Sequence, residues 1–261
     1  MIGAMSSETD QVAPPAPIST AQISTALAVG LVSILAWAVL LFLAVWAEMS
    51  IAVSPWAFST LAPTFITWTI MMAAMMLPAS LPMVIMARRI MGETHRPREG
   101  SIKATLFVLG YAAAWTGFSL AATVLQSGLQ QMALLTPMLT ATSTFFTGLL
   151  FCGAGLFQFS RLKTTCLELC RSPLGFFLGH WRDGRWGAFY MGLAHGAFCL
   201  GCCWALMLLL FTFGVMNLYW VVALTATVML EKLTPFGRLW SRFMGAIFIV
   251  GGISAMVYSV Q

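Results

Sequence analysis

The residues of this 261-residue chain that could do chemistry gather in one apolar run, MGLAHGAFCLGCCWALM over 191–207. Successive residues of a helix turn by about 100°. Cys199 then sits about 40° from His195, Cys202 about 20° to its other side, and Met191 about 40° off on the flank of Cys202. Cys203, about 80° away, faces a neighbouring seam. One helix face therefore offers imidazole, thiol and thioether. Such soft donors select Cu(I) over hard cations, with zinc as a competitor wherever two thiols meet an imidazole. The alternative is a hydrogen-bonded structural histidine among packing thiols.

A second surface carries more sulfur. In WTIMMAAMMLPASLPM over 68–83, Met72, Met76 and Met83 fall within about 40° of one another, and Met75 and Met86 widen the stripe. Met72, Met75 and Met76 are the candidate thioether ligands, against plain packing. Pro78 and Pro82 cannot donate backbone hydrogen bonds, so this helix should kink and free carbonyls near its middle. Glycines 192, 196 and 201 remove bulk beside the His195 face, so another helix can approach closely there; the Met stripe is the expected partner.

All six cysteines fall in apolar runs or beside basic connections. Cys166 and Cys170, four apart, share a helical face and could pass metal towards the site or simply pack. Cys152 is an accessory candidate, with an inert packing thiol as the other reading. Glu231 is the one carboxylate placed to reach inward. It either holds the far side of the His195 ring or shuttles protons, or it forms an ion pair with Lys232 or Lys163.

The elements that must position these groups follow from composition. Charged residues make up 8% and hydrophobic residues 60% of the chain, against roughly a quarter charged in a soluble globular domain. Runs without charge at 11–47, 49–87, 104–160, 186–230 and 243–261 hold about seven helical spans of about 20 residues each. The expected spans lie near 24–46, 62–87, 104–126, 139–160, 187–212, 216–232 and 242–259. An all-α membrane protein is the predicted fold class, as a single domain over 21–261 after a disordered tail at 1–20 that contains Pro14, Pro15 and Pro17. The tail has no basic residue, unlike a cleaved signal peptide.

All thirteen Lys and Arg residues lie in three connections, around 88–103, 161–185 and 232–242. Basic flanks mark the cytoplasmic side, so the N-terminus is expected inside and the C-terminus outside, in a bacterial inner membrane. The net charge of +5 then reports topology and requires no nucleic-acid partner. Between spans four and five, basic residues alternate with Leu, Phe and Trp, a pattern that predicts a segment lying along the cytoplasmic interface. By rise per residue, Met76 lies ~18 Å, Cys199 ~20 Å and Cys152 ~14 Å from their inner boundaries. The donors of spans two and five are thus expected at one depth.

The strings WTIMMAAMMLPASLPM, GLFQFSRLKTTCLELCRSPLGFFL, MGLAHGAFCLGCCWALMLLLFTFGVMNLYW and EKLTPFGR resemble the bacterial family of predicted metal-binding integral membrane proteins, over roughly residues 60–250. The resemblance implies a multi-helix membrane fold and a metal site at the positions of His195, Cys199, Cys202, Cys203, Met72, Met75, Met76 and Glu231. Phe157 and Ser160 stand where many relatives have Tyr and Pro. Copper handling by uptake, delivery or sensing is the leading expectation. A metal-dependent membrane oxidoreductase acting on a small apolar substrate, alone or as a subunit, and a structural subunit of a membrane complex are the alternatives. The chain could also assemble with itself. No phosphate-cradling glycine loop followed by Lys is present, which excludes an ATP-driven pump.

Overall fold

The computed structural model describes residues 19–47, 57–91, 97–136, 139–215 and 217–259. Most of the expected tail falls outside them. Among the described residues the chain forms helices α1 (Thr20–Ala47), α2 (Phe58–Met91), α3 (Pro97–Gln131), α4 (Thr144–Gln158), α5 (Arg161–Arg171), α6 (Pro173–His180), α7 (Gly184–Leu208), α8 (Leu210–Phe213), α9 (Leu218–Leu233) and α10 (Gly237–Tyr258), with no strand.

The all-helical expectation holds among the described residues, but the count of seven spans is not confirmed. Among the described residues, five helices are long and apolar enough to cross a membrane, or six if α4 and α5, bent by 63° at their junction, form one span. The fourth and sixth expected spans are α4 and α9, only 15 and 16 residues long, short of the ~20 a full crossing needs. Side-chain caps set these ends. Ser160 accepts from the Lys163 amide and starts α5 just where α4 has stopped, and Asn217 accepts from the Trp220 amide to start α9.

The segment after α4 is helical and packs on the bundle. Its helix α5 packs on α7 and buries Lys163, Cys166 and Leu167. These residues share one helical face with Cys170, spaced i, i+3, i+4 and i+7. Gly201 makes room for them, since a Cβ there would sit 2.7 Å from the Cys166 sulfur. The helix α6 buries Phe176 and Phe177.

Two glycine-mediated contacts organise the rest. On α7, a Cβ at Gly192 would sit 1.9 Å from the Phe107 carbonyl oxygen and one at Gly196 2.5 Å from the Ala114 methyl, while a Cβ at Gly110 of α3 would meet the Phe189 carbonyl oxygen at 2.1 Å. The glycines of α7 therefore serve close packing as expected, but the helix they admit is α3 rather than α2. The second contact joins α4 to α10 through Gly148, Gly155, Gly245 and Gly252. The helix α2 packs against α1, α3 and α9.

Within α2, the carbonyl that Pro78 leaves without its helical donor belongs to Ala74. It accepts hydrogen bonds from the Ser33 hydroxyl at 3.2 Å and the Trp37 indole at 3.1 Å, both on α1. A freed backbone acceptor thus ties α1 to an otherwise apolar bundle.

Candidate metal centre

The inward face of α7 is built largely as its spacing predicts. His195, Cys199, Cys202 and Cys203 are all buried. The imidazole is stacked on Tyr111 at 5.4 Å and Phe107 at 6.0 Å between ring centroids, and Phe176 meets it edge-on at 5.4 Å. Its Nδ1 is buried with no hydrogen-bond partner. Buried polar atoms of folded proteins almost always have one. This atom is therefore free to take a ligand that the polypeptide does not supply.

The Cys199 sulfur is the hub of the site. The Lys232 ammonium of α9 donates to it at 2.7 Å, and the Tyr111 hydroxyl of α3 lies 3.1 Å away. Tyr111 also donates to the Met76 carbonyl of α2 at 3.1 Å. One hydroxyl thus links α2 to α7, although α3 rather than α2 packs closely on α7. Cys170 lies on the face of α5 that packs on α7, near Cys199 and Cys202. Cys202 and Cys203 turn their thiols back to the Cys199 carbonyl, at 3.1 and 2.9 Å.

Two expected members, Cys152 and Glu231, stand elsewhere, and the three methionines lie on a neighbouring helix. Met72, Met75 and Met76 are fully buried on α2, and Met72 borders, with Tyr111, a cavity of about 40 Å³ between α2 and α3. Cys152 belongs to the contact between α4 and α10, where its thiol points to the Ile249 carbonyl at 3.8 Å and a Cβ on Gly252 would touch its sulfur. Glu231 does not serve the His195 ring. It forms an ion pair with Lys163 at 2.7 Å, with both side chains only 1% exposed, so of its expected roles the pairing is found, buried within the protein. Its second carboxylate oxygen has no partner. Adjacent residues of α9 therefore hold two neighbours: Glu231 holds α5 and Lys232 holds α7. Phe157 packs edge-on against Trp204.

Tyr111, Lys232 and the central position of Cys170 escape a reading by spacing. A sequence signal exists for Lys232, since a helix as short as α9 need not reach an interface and can leave its last charges inside. Tyr111 follows Gly110 in an apolar run, but nothing local says which helix its hydroxyl meets.

Among the described residues, no three or more His, Cys, Asp or Glu side chains are arranged to hold a metal ion. The thiols are engaged in hydrogen bonds instead, and Cys202 and Cys203 would have to leave the Cys199 carbonyl to act as ligands. The donor chemistry nevertheless suits a soft ion of low coordination number, and the unpartnered imidazole nitrogen offers it a place to bind. A family model described as a copper chaperone, PpoB2, matches residues 65–255. The chain belongs to that family. The copper chaperone match spans every candidate metal ligand, from Met72 to Cys203, and Lys232 beside them, and associates the chain with copper handling. No curated protein matches the chain, and no solved structure does.

Proposed function

We propose that this protein is an integral membrane copper chaperone that carries Cu(I) within its helix bundle. His195 and Cys199 are the central ligands. Cys202, Cys203 and Cys170 lie nearest as further donors, and Met72, Met75 and Met76 form a thioether reserve on α2. The carrying observation is the unpartnered Nδ1 of His195 one helical turn from a sulfur met by both an ammonium and a phenol. Membership of a copper chaperone family supports the choice of copper, with zinc as the competing ion at a thiol-imidazole site.

Charge balance favours the same reading. Ionised groups are costly to bury unless compensated. Two thiolates, one Cu(I) and the Lys232 ammonium sum to neutrality, so the site can hold the ion without leaving net charge among apolar helices. Tyr111 orients the Cys199 sulfur, and the Phe107 and Phe176 rings keep water from the imidazole. Copper is the cargo here, and its transfer is ligand exchange.

The membrane setting rests on the apolar helices and on the outward-facing large side chains of α1 and α10, among them Leu27, Ile34, Val45, Val250 and Val257. The lipid bilayer is their partner. The clustering of Lys and Arg supports a bacterial inner membrane orientation with the N-terminus inside and the C-terminus outside, with seven helices contributing to the bundle and α4 and α9 as partial crossings. The same outward faces leave room for a second copy or another membrane subunit.

Elemental analysis of the full chain purified in detergent tests the assignment. About one equivalent of copper is expected, colourless and stable in air as Cu(I), and it should be lost in His195→Ala with Cys199→Ser. Retention of copper by that double variant, or a folded native protein that takes up none, would refute the site.

A further inference from the structure

A second pair of donors lies where the end of α6 meets the first turns of α7, at the outer end of the donor face. His180 and Met191 line one open pocket of about 500 Å³, together with Arg182, Tyr190, Leu193 and Ala197. The His180 Nδ1 is 3.2 Å from the Phe176 carbonyl oxygen. A carbonyl only accepts, so Nδ1 is the donor in this contact and Nε2 is the ring nitrogen left for a ligand. This is how metal-binding histidines are oriented: the far nitrogen is fixed on a backbone carbonyl. The ring is held further by parallel stacking on Phe176 at 5.0 Å, and Phe176 in turn meets His195 edge-on.

From this pocket a line of donors runs inward. Met191, His195 and Cys199 occupy successive turns of one face of α7, about 6 Å apart along the axis, and all three are buried. A pocket of this volume is sized for a small molecule and is far too large for a bare ion. Its charge also argues against a free cation, because the exposed Arg182 guanidinium lies on the wall, 5.7 Å over the Tyr190 ring. An anionic guest removes that conflict. Extending the copper reading above, on which this rests, we propose that the pocket receives Cu(I) as a small anionic thiolate complex, and that His180 and Met191 take the ion from it and pass it to His195.

The exchange balances without electron transfer. The complex Cu(SR)₂⁻ releases two thiolates as the ion gains an imidazole nitrogen and a thioether sulfur, so the total charge stays at −1 and copper stays Cu(I). Arg182 faces the departing anions.

The test follows copper loading of the full chain in detergent by stopped flow, from two donors: the glutathione complex, which is anionic, and the acetonitrile complex, which is cationic. His180→Phe keeps the stack on Phe176 but removes the donor, and Met191→Leu keeps the volume. Each should slow loading from the glutathione complex by about one decade with final copper content unchanged. Arg182→Gln should slow loading from the glutathione complex alone. Rates equal to wild type in His180→Phe and Met191→Leu overturn the proposal. So does a fall in final copper content, which would make these residues part of the buried site. A wild-type chain that loads from neither donor sinks the copper reading itself, and this inference with it.

Discussion

The approach of α3 to α7 sets the geometry of the site, and Gly192 is where a single atom tests it. A methyl on residue 192 would lie 1.9 Å from the Phe107 carbonyl oxygen, against the 3.4 Å at which ordinary contact begins. The obstacle is backbone on both sides, so no rotamer relieves it and the helices must separate. Separation on that scale carries Tyr111 away from the Cys199 sulfur, a contact of 3.1 Å at present. Gly192→Ala should therefore cost about 3 kcal/mol, the upper end for overpacking, and lower the thermal midpoint in detergent by roughly 5–10 °C. Copper content should fall with it. Gly117→Ala is the matched control on α3: a Cβ there meets nothing within 4 Å, so stability should hold or rise by up to about 1 kcal/mol from helix propensity. Thermal unfolding followed by circular dichroism, with copper measured on the same samples, reads both. Equal midpoints for Gly192→Ala and wild type would refute the close packing of α3 on α7 and the site geometry built on it.

Other substitutions separate structural from ligand roles. Glu231→Gln removes the partner of a buried ammonium and should destabilise by about 3–5 kcal/mol, whereas Lys163→Met with Glu231→Leu should recover most of that loss; the difference is read as paired midpoints. Replacing both donors to the Ala74 carbonyl, with Ser33→Ala and Trp37→Phe, orphans a buried acceptor and should cost about 1–3 kcal/mol, against about 1 kcal/mol for Trp37→Phe alone, measured by denaturant titration. Cys152→Ala should leave copper content at the wild-type value in elemental analysis, because its sulfur faces α10. A loss of copper there would place α4 in the site.

The residues on one helix were legible from spacing alone. Three-dimensional period and one-dimensional order coincide along α7, so His195, Cys199 and Cys202 could be set on one face, and the glycines beside them marked as a close-packing surface. Pro78 likewise named its own consequence, a carbonyl in need of a donor, because the missing N–H is a local fact. The apolar runs gave the helices and nearly all their positions.

What they touch was not legible. Which helix enters the groove beside Gly192 and Gly196 depends on which partner has its own small residue at matching height, and Gly110 of α3 met that condition better than the Met stripe of α2. Lys232 read as the end of a span and Lys163 as part of a cytoplasmic connection, yet α9 has only 16 residues and the turn at Ser160 folds α5 back on α7, so both ammonium groups end inside with partners from other helices. Contacts between elements depend on length, bend angle and mutual fit, all properties of the assembled bundle. Composition and period along the chain determined the helices and the soft-donor face; only their packing decided that Tyr111, Cys170 and Lys232 would join that face and that Cys152 and Glu231 would not.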